Sequence, residues 1–285
     1  MPSSSKEGFT APTGTTVEEI VGRGSVFEVA VVVSAGRRLI AKRPRPELRD
    51  NADAASAIKR EAAVLTRLHD RRVPAIEASG VDDAGPFLLE TLVEGPSFRS
   101  LSEATSPLPW AARAGLALRA VVLFRDLHAL SDASGPLGFA HGDPSPDHLV
   151  LASVDDLDVV EVGLLDFGSA SLRGMPPVGA GARGTLPYVA PELCRGEVAP
   201  SAATDRYALA VILGQLLSGR RLCKATEEAA MLLEIGDHGH DASALASLPA
   251  PVQKALASLL AFRSADRPAD LDELARSLEA SAAVE

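Results

Sequence analysis

The sequence is poor in aromatic residues and in cysteine, and each shortage narrows its interpretation. Aromatic residues make up 4% of the 285 positions, so leucine, valine and alanine must fill most of the hydrophobic core. The two cysteines, Cys194 and Cys223, lie far apart and have no metal-ligand spacing around them. This pattern predicts reduced, partly buried thiols rather than a metal site.

Positive charge and long apolar runs are also scarce. Lys and Arg number 28 against 38 Asp and Glu, a formal net charge of −10, which argues against a nucleic-acid partner because neutralising phosphates requires clustered basic residues. The one basic run, residues 37–49, predicts a solvated face, with attraction of phosphates as the alternative. No stretch of the sequence approaches the roughly 18 apolar residues that span a bilayer.

The first sixteen residues, MPSSSKEGFTAPTGTT, lack the apolar core of a secretion signal. Their composition predicts a flexible leader over residues 1–16. Together with the missing apolar runs, this predicts a cytoplasmic protein with no membrane partner.

The hydrophobic pattern changes near residue 94. Before it, strands are predicted at 27–33 and 38–43, and a helix at 53–69 with Asp53 as its N-cap. Beyond it, helices are predicted at 110–130 and 205–218; the second is apolar on nearly every face and Gly219 can end it in the left-handed conformation. The sequence therefore predicts an α+β fold with a small β-rich lobe over residues 17–94 and a larger, mainly helical lobe over residues 95–285.

Two acidic residues lie at the ends of a predicted hairpin. Asp143 precedes a strand at 148–151, and Asp166 closes the return strand in VVEVGLLDFG. Pairing of these strands would bring both carboxylates to the same edge, where they suit a divalent metal ion and an acid–base or substrate-orienting role. Each acid taken alone is typical of an ordinary cap or turn.

Several ordered motifs carry a family resemblance. HGDPSP resembles the catalytic loop H-R-D-x-x-x-x-N of protein kinases, and LLDFGSA resembles their metal-binding D-F-G. RGTLPYVAPE, residues 183–192, is similar to the end of an activation segment. TDRYALAVILGQLLSGR is similar to the buried helix whose first acid, here Asp205, anchors the catalytic-loop backbone, and Arg267 stands where an arginine pairs with the acid that is here Glu192.

From about residue 17 to the C-terminus, the chain thus resembles the eukaryotic-like protein kinase family of the Ser/Thr type. The resemblance implies that ATP binds to the small lobe through Lys42, whose charge would hold the phosphates and whose partner would be Glu61. It also implies a glycine-rich loop, in GRGSVFEV, and a hinge that bonds adenine through main-chain groups. The residues implied for nucleotide binding, besides Lys42, are Gly22, Gly24, Val29, Glu90 and Leu92.

The resemblance also assigns the chemistry. Asp143 would accept or orient the proton of a substrate hydroxyl, and Asp166 would hold Mg²⁺. His148 stands where the family has an asparagine that binds a second metal ion. Because imidazole is a poor ligand for Mg²⁺ and suits Mn²⁺ better, Mn²⁺ is the alternative metal.

Three further positions depart from the family pattern. Phe27 replaces the third glycine of the loop, and Ser145 replaces a lysine that contacts the γ-phosphate. Gly142 replaces the arginine that pairs with an activation-loop phosphate, so a switch of that type is not expected.

These residues predict an ATP-dependent protein Ser/Thr kinase of weak or metal-selective activity, which acts on a protein substrate. One alternative is a pseudokinase, a nucleotide-binding module that regulates a partner protein. The other is a small-molecule phosphotransferase, against which the peptide-docking motif GTLPYVAPE stands.

Overall fold

The computed structural model describes residues 8–104, 108–154, 159–177 and 184–282. The chain divides into two compact units, one made of Met1–Glu94 with Leu164–Ser169 and the other of Gly95–Gly163 with Ala170–Glu285. Together these units have the α+β composition of the predicted fold class, with a sheet in the first and mainly helices in the second. Among the described residues, no helix has both the length and the hydropathy that crossing a bilayer requires.

The first unit is built on an antiparallel five-stranded sheet with the strand order β1-β2-β3-β5-β4. One helix, α1, packs against its strands β3, β4 and β5. The elements are β1 (Thr16–Arg23), β2 (Phe27–Ser34), β3 (Arg37–Pro44), α1 (Ala52–Leu65), β4 (Ile76–Asp82) and β5 (Gly85–Thr91).

The core of this unit includes residues that the sequence placed in a flexible leader. Phe9 is fully buried and Ala11 is 5% exposed, and both pack with Val32 and Leu39 in one hydrophobic cluster. A side chain as large as phenylalanine removes much apolar surface from water when it is buried. The leader interpretation is therefore wrong for residues 9 and 11, while residues 1–7 lie outside the described part of the chain.

Helix α1 begins one residue before the predicted start at 53 and ends four residues before the predicted end at 69. Asn51, not Asp53, is the N-cap, and its side-chain oxygen accepts a hydrogen bond of 2.9 Å from the backbone N–H of Ala54. Both residue types cap helices well, so composition did not distinguish them. The helix buries Ile58, Glu61 and Leu65 among other residues, which places one acid on its packed face.

The basic run is largely compensated within the first unit. Arg37 pairs with Glu77 at 2.6 Å, and Arg38 pairs with Glu94 at 2.6 Å. The side chain of Arg43 is 3% exposed and pairs with Asp82 at 2.9 Å. The solvated-face interpretation is therefore wrong for this residue.

The second unit is mainly helical, with short strands. Its elements are α2 (Phe98–Ser102), α3 (Trp110–Ala129), β6 (Ser131–Asp132), β7 (Gly135–Pro136), β8 (Leu149–Val154), β9 (Val159–Leu164), α4 (Pro191–Cys194), α5 (Ala202–Ser218), α6 (Glu228–His238), α7 (Ala250–Leu259) and α8 (Asp272–Ala282). Strands β8 and β9 pair with each other, as predicted.

Helix α5 lies at the centre of this unit. It is buried on nearly every face and packs against α3 and α7. Ser201 and Thr204 form a reciprocal capping box at its start, and Gly219 ends it with a φ of 67°. Cys194 and Cys223 are free and buried, as the sequence predicted.

Candidate active site

Lys42 lies between two carboxylates in the first unit. Its Nζ atom is 2.8 Å from Oε2 of Glu61 and 2.8 Å from Oδ1 of Asp166. The side chain of Lys42 is 6% exposed and that of Glu61 is 1% exposed, whereas Asp166 is 44% exposed. The predicted pairing of Lys42 with Glu61 is therefore confirmed, and the aspartate of Asp-Phe-Gly joins the same cluster.

The sheet and its helix position this cluster. Lys42 lies in the interior strand β3, opposite Val29 of β2 and Leu88 of β5, so the neighbouring strands fix its backbone. Glu61 reaches it from the buried face of α1. A buried charge is tolerated only when it is paired. The pairing with Lys42 explains why an acid such as Glu61 can lie on the otherwise apolar face of α1.

The cluster has opposing electrostatic contributions. Burial alone lowers the pKa of Lys42, but attraction to Glu61 and Asp166 outweighs it and raises this pKa above its ordinary value. Burial raises the pKa of the Glu61 carboxyl group, although attraction to Lys42 opposes the shift. Lys42 therefore keeps its positive charge and can bind an anion.

The Asp-Phe-Gly segment is held by the same residues. The backbone N–H of Phe167, a fully buried residue, donates a hydrogen bond of 2.9 Å to Oε1 of Glu61. A Cβ atom at Gly168 would meet Oδ1 of Asp166 at 3.3 Å, so a larger residue would crowd the carboxylate. Asp166 itself has a φ of 63°, a left-handed conformation that costs energy in a residue other than glycine.

The glycines of the predicted phosphate loop lie at the turn of the hairpin formed by β1 and β2, Gly22 near the end of β1 and Gly24 in the turn itself. Neither Gly22 nor Gly24 has a positive φ, so the turn conformation does not require glycine at either position. A Cβ atom at Gly22 would meet no protein atom within 4 Å. The backbone at Gly22 is thus open to an approaching group, and Val29 pairs with it across the hairpin.

Phe27, which replaces the third glycine, contacts the lysine directly. Lys42 Nζ lies 5.1 Å from the centroid of the Phe27 ring, within the range of a cation–π interaction. The ring therefore covers one side of the ammonium group.

Glu90 is a buried acid beside this cluster. Its Oε2 atom is buried and, within the described residues, has no hydrogen-bond partner. Burial raises the pKa of Glu90 well above its ordinary value, and repulsion from Glu61 adds to the shift. The sequence assigned a role to its main chain alone and gave no signal for the side chain.

The main chain of Glu90 lies opposite Ile40 of β3 and Ile76 of β4, so strands flank it on both sides. Leu92 follows the end of β5. Of the two residues expected to bond adenine, Leu92 is therefore the better placed.

In the second unit, Asp143 is held by Thr185, which belongs to the segment that resembles the end of a kinase activation segment. The backbone N–H and the hydroxyl group of Thr185 each donate a hydrogen bond of 2.7 Å to Oδ1 of Asp143. The sequence analysis did not predict this direct contact between Thr185 and Asp143.

Asp205 anchors the loop that carries Asp143, as the resemblance predicted. This fully buried carboxylate accepts hydrogen bonds from the backbone N–H groups of His141 at 2.7 Å and Gly142 at 2.9 Å. The predicted pairing at the end of the segment is also confirmed, because Arg267 forms two hydrogen bonds to Glu192, at 2.6 Å and 2.8 Å.

His148 has one ring nitrogen engaged in the same loop. Its Nδ1 atom lies 2.9 Å from the backbone carbonyl oxygen of Asp143, and because a carbonyl oxygen can only accept, Nδ1 donates this hydrogen bond. This arrangement is typical of histidines that bind metals, because a carbonyl group fixes the tautomer. Ser145 is buried, with 1% of its surface exposed.

Among the described residues, no group of three or more His, Cys, Asp or Glu side chains is arranged to hold a metal ion. Mg²⁺ in phosphate-transferring proteins is commonly held by one or two carboxylates and by phosphate oxygens of the substrate. The exposed part of Asp166 fits one such carboxylate ligand.

Comparison with known proteins places these residues in a family. Residues 15–277 match the model of the protein kinase domain. The chain is 30% identical over 254 residues to the serine/threonine-protein kinase PknD of Mycobacterium tuberculosis, covering 88% of this chain and 36% of that protein. It is 26% identical over 228 residues to PknL of the same species, covering 78% of this chain and 53% of PknL.

A third relative is the serine/threonine-protein kinase PkaB of Streptomyces coelicolor, which is 32% identical over 219 residues, 72% of this chain and 48% of PkaB. The chain thus spans between 36% and 53% of the length of these three relatives. The chain belongs to the protein kinase family, and the relatives it matches are serine/threonine-protein kinases.

Proposed function

We propose that this chain is an ATP-dependent protein serine/threonine kinase, which transfers the γ-phosphate of ATP to a hydroxyl group of a protein. The observation that carries the proposal is the position of Lys42 Nζ, 2.8 Å from the carboxylates of both Glu61 and Asp166. Phosphoryl transfer depends mainly on positioning and on compensation of charge, and this cluster supplies both.

Lys42 would bind the α- and β-phosphates of ATP. Glu61 fixes the position of its ammonium group. The lysine stays protonated because the carboxylates of Glu61 and Asp166 raise its pKa. The open backbone at Gly22 would leave room for the phosphates, with Val29 on the paired strand and Leu92 near the adenine. The backbone N–H of Gly24 instead donates to the carbonyl oxygen of Phe27 at 2.8 Å, so Gly24 would contribute the close turn of the loop rather than a free donor.

Asp166 would hold Mg²⁺ or Mn²⁺ together with the phosphates. When bound, such an ion compensates the charge that develops on the transferred phosphoryl group. The left-handed backbone of Asp166 and the close approach of Gly168 keep this carboxylate at the edge of the cluster.

Asp143 would accept the proton of the substrate hydroxyl group or orient it. Thr185 holds one of its oxygens, and Asp205 holds the backbone of the preceding residues. A general base works best when its geometry is fixed in advance, which these contacts provide.

His148 supports weak or metal-selective activity. The ligand atom that His148 would offer a metal is an imidazole nitrogen rather than an amide oxygen, and imidazole suits Mn²⁺ better than Mg²⁺. The same residue favours the second candidate function, a pseudokinase that binds nucleotide and regulates a partner protein.

A protein substrate, rather than a small hydroxyl compound, is supported by the segment at 184–192. Its end is fixed by the buried pair of Glu192 and Arg267, and its beginning contacts Asp143 through Thr185.

The test is transfer of ³²P from γ-labelled ATP to a mixture of Ser- and Thr-containing peptides, with Mg²⁺ and Mn²⁺ in parallel. We expect transfer with at least one metal and its loss in Asp143→Asn. The control is Asp237→Asn, a change of an exposed aspartate on α6 that should retain most of the transfer. Nucleotide binding without transfer in either metal would support the pseudokinase instead.

A further inference from the structure

A cavity of about 470 Å³ lies in the second unit, beside the segment that holds Asp143. Its walls come from α2, the first turns of α3, the end of α5 and the residues Pro187 and Tyr188. A volume of this size is typical of pockets that bind a small molecule or a side chain.

The lining of this cavity is strongly basic, although the whole chain has a formal net charge of −10. It includes one acid, Glu103, and four arginines, namely Arg99, Arg113, Arg220 and Arg221. We call the cavity lined by these four residues the arginine cavity.

Within the described ranges of the chain, one of the four arginines has a close carboxylate partner. Arg99 forms hydrogen bonds of 2.7 Å and 2.9 Å from Nε to the two oxygens of Asp147. Within the described residues, the ion pairs do not include Arg113, Arg220 or Arg221, and Arg221 donates to the backbone oxygen of Ala225 at 2.9 Å. The cavity therefore retains an excess of positive charge.

One buried donor in the lining lacks a partner. Nε of Arg113 is buried and, in the part of the chain that the structure describes, has no hydrogen-bond partner. Arg113 lines the cavity. A buried donor without a partner carries a desolvation cost that the oxygen of an anionic ligand can relieve.

The cavity lies next to the proposed acceptor site. The backbone N–H of Tyr188 donates to the carbonyl oxygen of Thr185 at 2.8 Å, and Thr185 holds Asp143. Pro146, from the loop that carries Asp143, also lines the cavity. A peptide whose hydroxyl group reaches Asp143 would therefore bring its neighbouring side chains to the arginine cavity.

We propose that the arginine cavity binds an anionic side chain of the protein substrate, a carboxylate or a phosphate, close to the acceptor serine or threonine. This inference rests on the proposed function and adds its substrate class. Guanidinium groups bind carboxylates and phosphates through pairs of hydrogen bonds, so several arginines in one concave site favour such an anion over a neutral side chain.

The test measures binding directly, without ATP, by fluorescence anisotropy of labelled peptides. The peptides share one serine and differ only in the flanking residues, which are glutamate, phosphoserine, glutamine or lysine. We expect the glutamate and phosphoserine peptides to bind more tightly than the glutamine peptide, with affinity that falls as salt is added. Comparison of glutamate with phosphoserine distinguishes the two sources of the anion.

The variant is the double substitution Arg220→Ala and Arg221→Ala, since both residues are exposed and their loss should not unfold the protein. It should weaken binding of the anionic peptides on the order of tenfold. The matched control is Arg276→Ala, an exposed arginine on α8, which should leave the affinity unchanged.

Equal affinity for all four peptides, or equal loss in the Arg276→Ala control, would overturn the inference. So would binding of vesicles of anionic lipid that is lost in the same double variant while the peptides bind unchanged. Selective peptide binding without phosphate transfer would uphold this inference and reject the proposed kinase activity. Phosphate transfer without any preference between flanks would do the reverse.

Discussion

The Nζ atom of Lys42 lies 2.8 Å from Oδ1 of Asp166, although 124 positions separate the two residues in the sequence. Both belong to the first unit, because Leu164–Ser169 packs with Met1–Glu94. The lysine that we propose binds phosphate and the carboxylate that we propose binds a metal ion are thus in contact within one compact unit.

Loss of the lysine should affect stability as well as activity. Lys42→Met leaves the carboxylate of Glu61 buried without its cation, and breaking such a buried pair costs about 3–5 kcal/mol. We expect a lower free energy of unfolding in urea denaturation and no phosphate transfer.

Two controls accompany this variant. Lys59→Met removes an exposed lysine from α1 and should change neither measurement. Lys42→Arg keeps the charge and should remain folded but lose most of the transfer, because the shape of the cation changes. Full activity of Lys42→Met would contradict the assigned role.

Glu90 should make the protein less stable as the pH rises. Its pKa is raised in the folded state, so the folded protein holds the proton more tightly than the unfolded chain does. The contribution of this group to the free energy of unfolding is therefore fully present below about pH 4.3, which is the ordinary pKa of glutamate. It is lost as the pH rises through the higher pKa that Glu90 has in the folded protein.

The measurement is urea denaturation of the wild type and of Glu90→Gln at pH 5 and pH 8. We expect the variant to gain stability relative to the wild type at the higher pH. Glu90→Leu should be more stable than the wild type at pH 8 by about 1–3 kcal/mol, because it removes a buried oxygen without a partner. A pH-independent difference between Glu90→Gln and the wild type would refute the assignment.

Gly22 should be required for nucleotide binding but not for folding. A Cβ atom there meets no protein atom within 4 Å and the residue has no positive φ, so Gly22→Ala should change the free energy of unfolding by less than about 1 kcal/mol. We expect the added methyl group to obstruct phosphates and to reduce the increase in Tm that ATP produces.

Gly36 provides the opposite control. It has a φ of 80° in the turn between β2 and β3, so Gly36→Ala should destabilise the protein by about 1–2 kcal/mol. It should nevertheless leave the increase in Tm with ATP unchanged. The reverse pattern in the two variants would count against a phosphate loop at Gly22.

The identity of residue 148 should set the metal preference. His148→Asn replaces an imidazole with an amide oxygen, so transfer with saturating Mg²⁺ should rise by about tenfold or more, as ligand-shell changes commonly produce. The ratio of activity with Mn²⁺ to activity with Mg²⁺ should fall. His238→Asn, a change at an exposed histidine of α6, should alter neither. An unchanged ratio in His148→Asn would show that the ring does not bind the metal.

The sequence predicted the elements with strong periodicity and the residues that lie in ordered motifs. The helix at 205–218 was predicted from its nearly continuous apolar pattern, whereas the pairings of Glu61, Asp205 and Glu192 were implied by the resemblance to protein kinases. In the structure each of these acids is buried, where a charge needs a partner.

Other features depend on distant packing that no local pattern reveals. Strand β4 (Ile76–Asp82) is mostly exposed, and α6 (Glu228–His238) was not assigned. Phe9 lies in a segment of polar composition, yet it packs in the core of the sheet. The position of the Glu90 side chain beside Glu61 and Lys42 could not be predicted, because it depends on the register of β5 in the sheet.

The most direct test of the account is calorimetric titration of ATP into the wild type and Asp166→Asn, each with and without Mg²⁺ or Mn²⁺. If Lys42 and a metal on Asp166 hold the triphosphate, the wild type should bind ATP more tightly when a metal is present, and Asp166→Asn should lose this gain. Equal affinity in both proteins, with the same response to metal, would contradict the central claim.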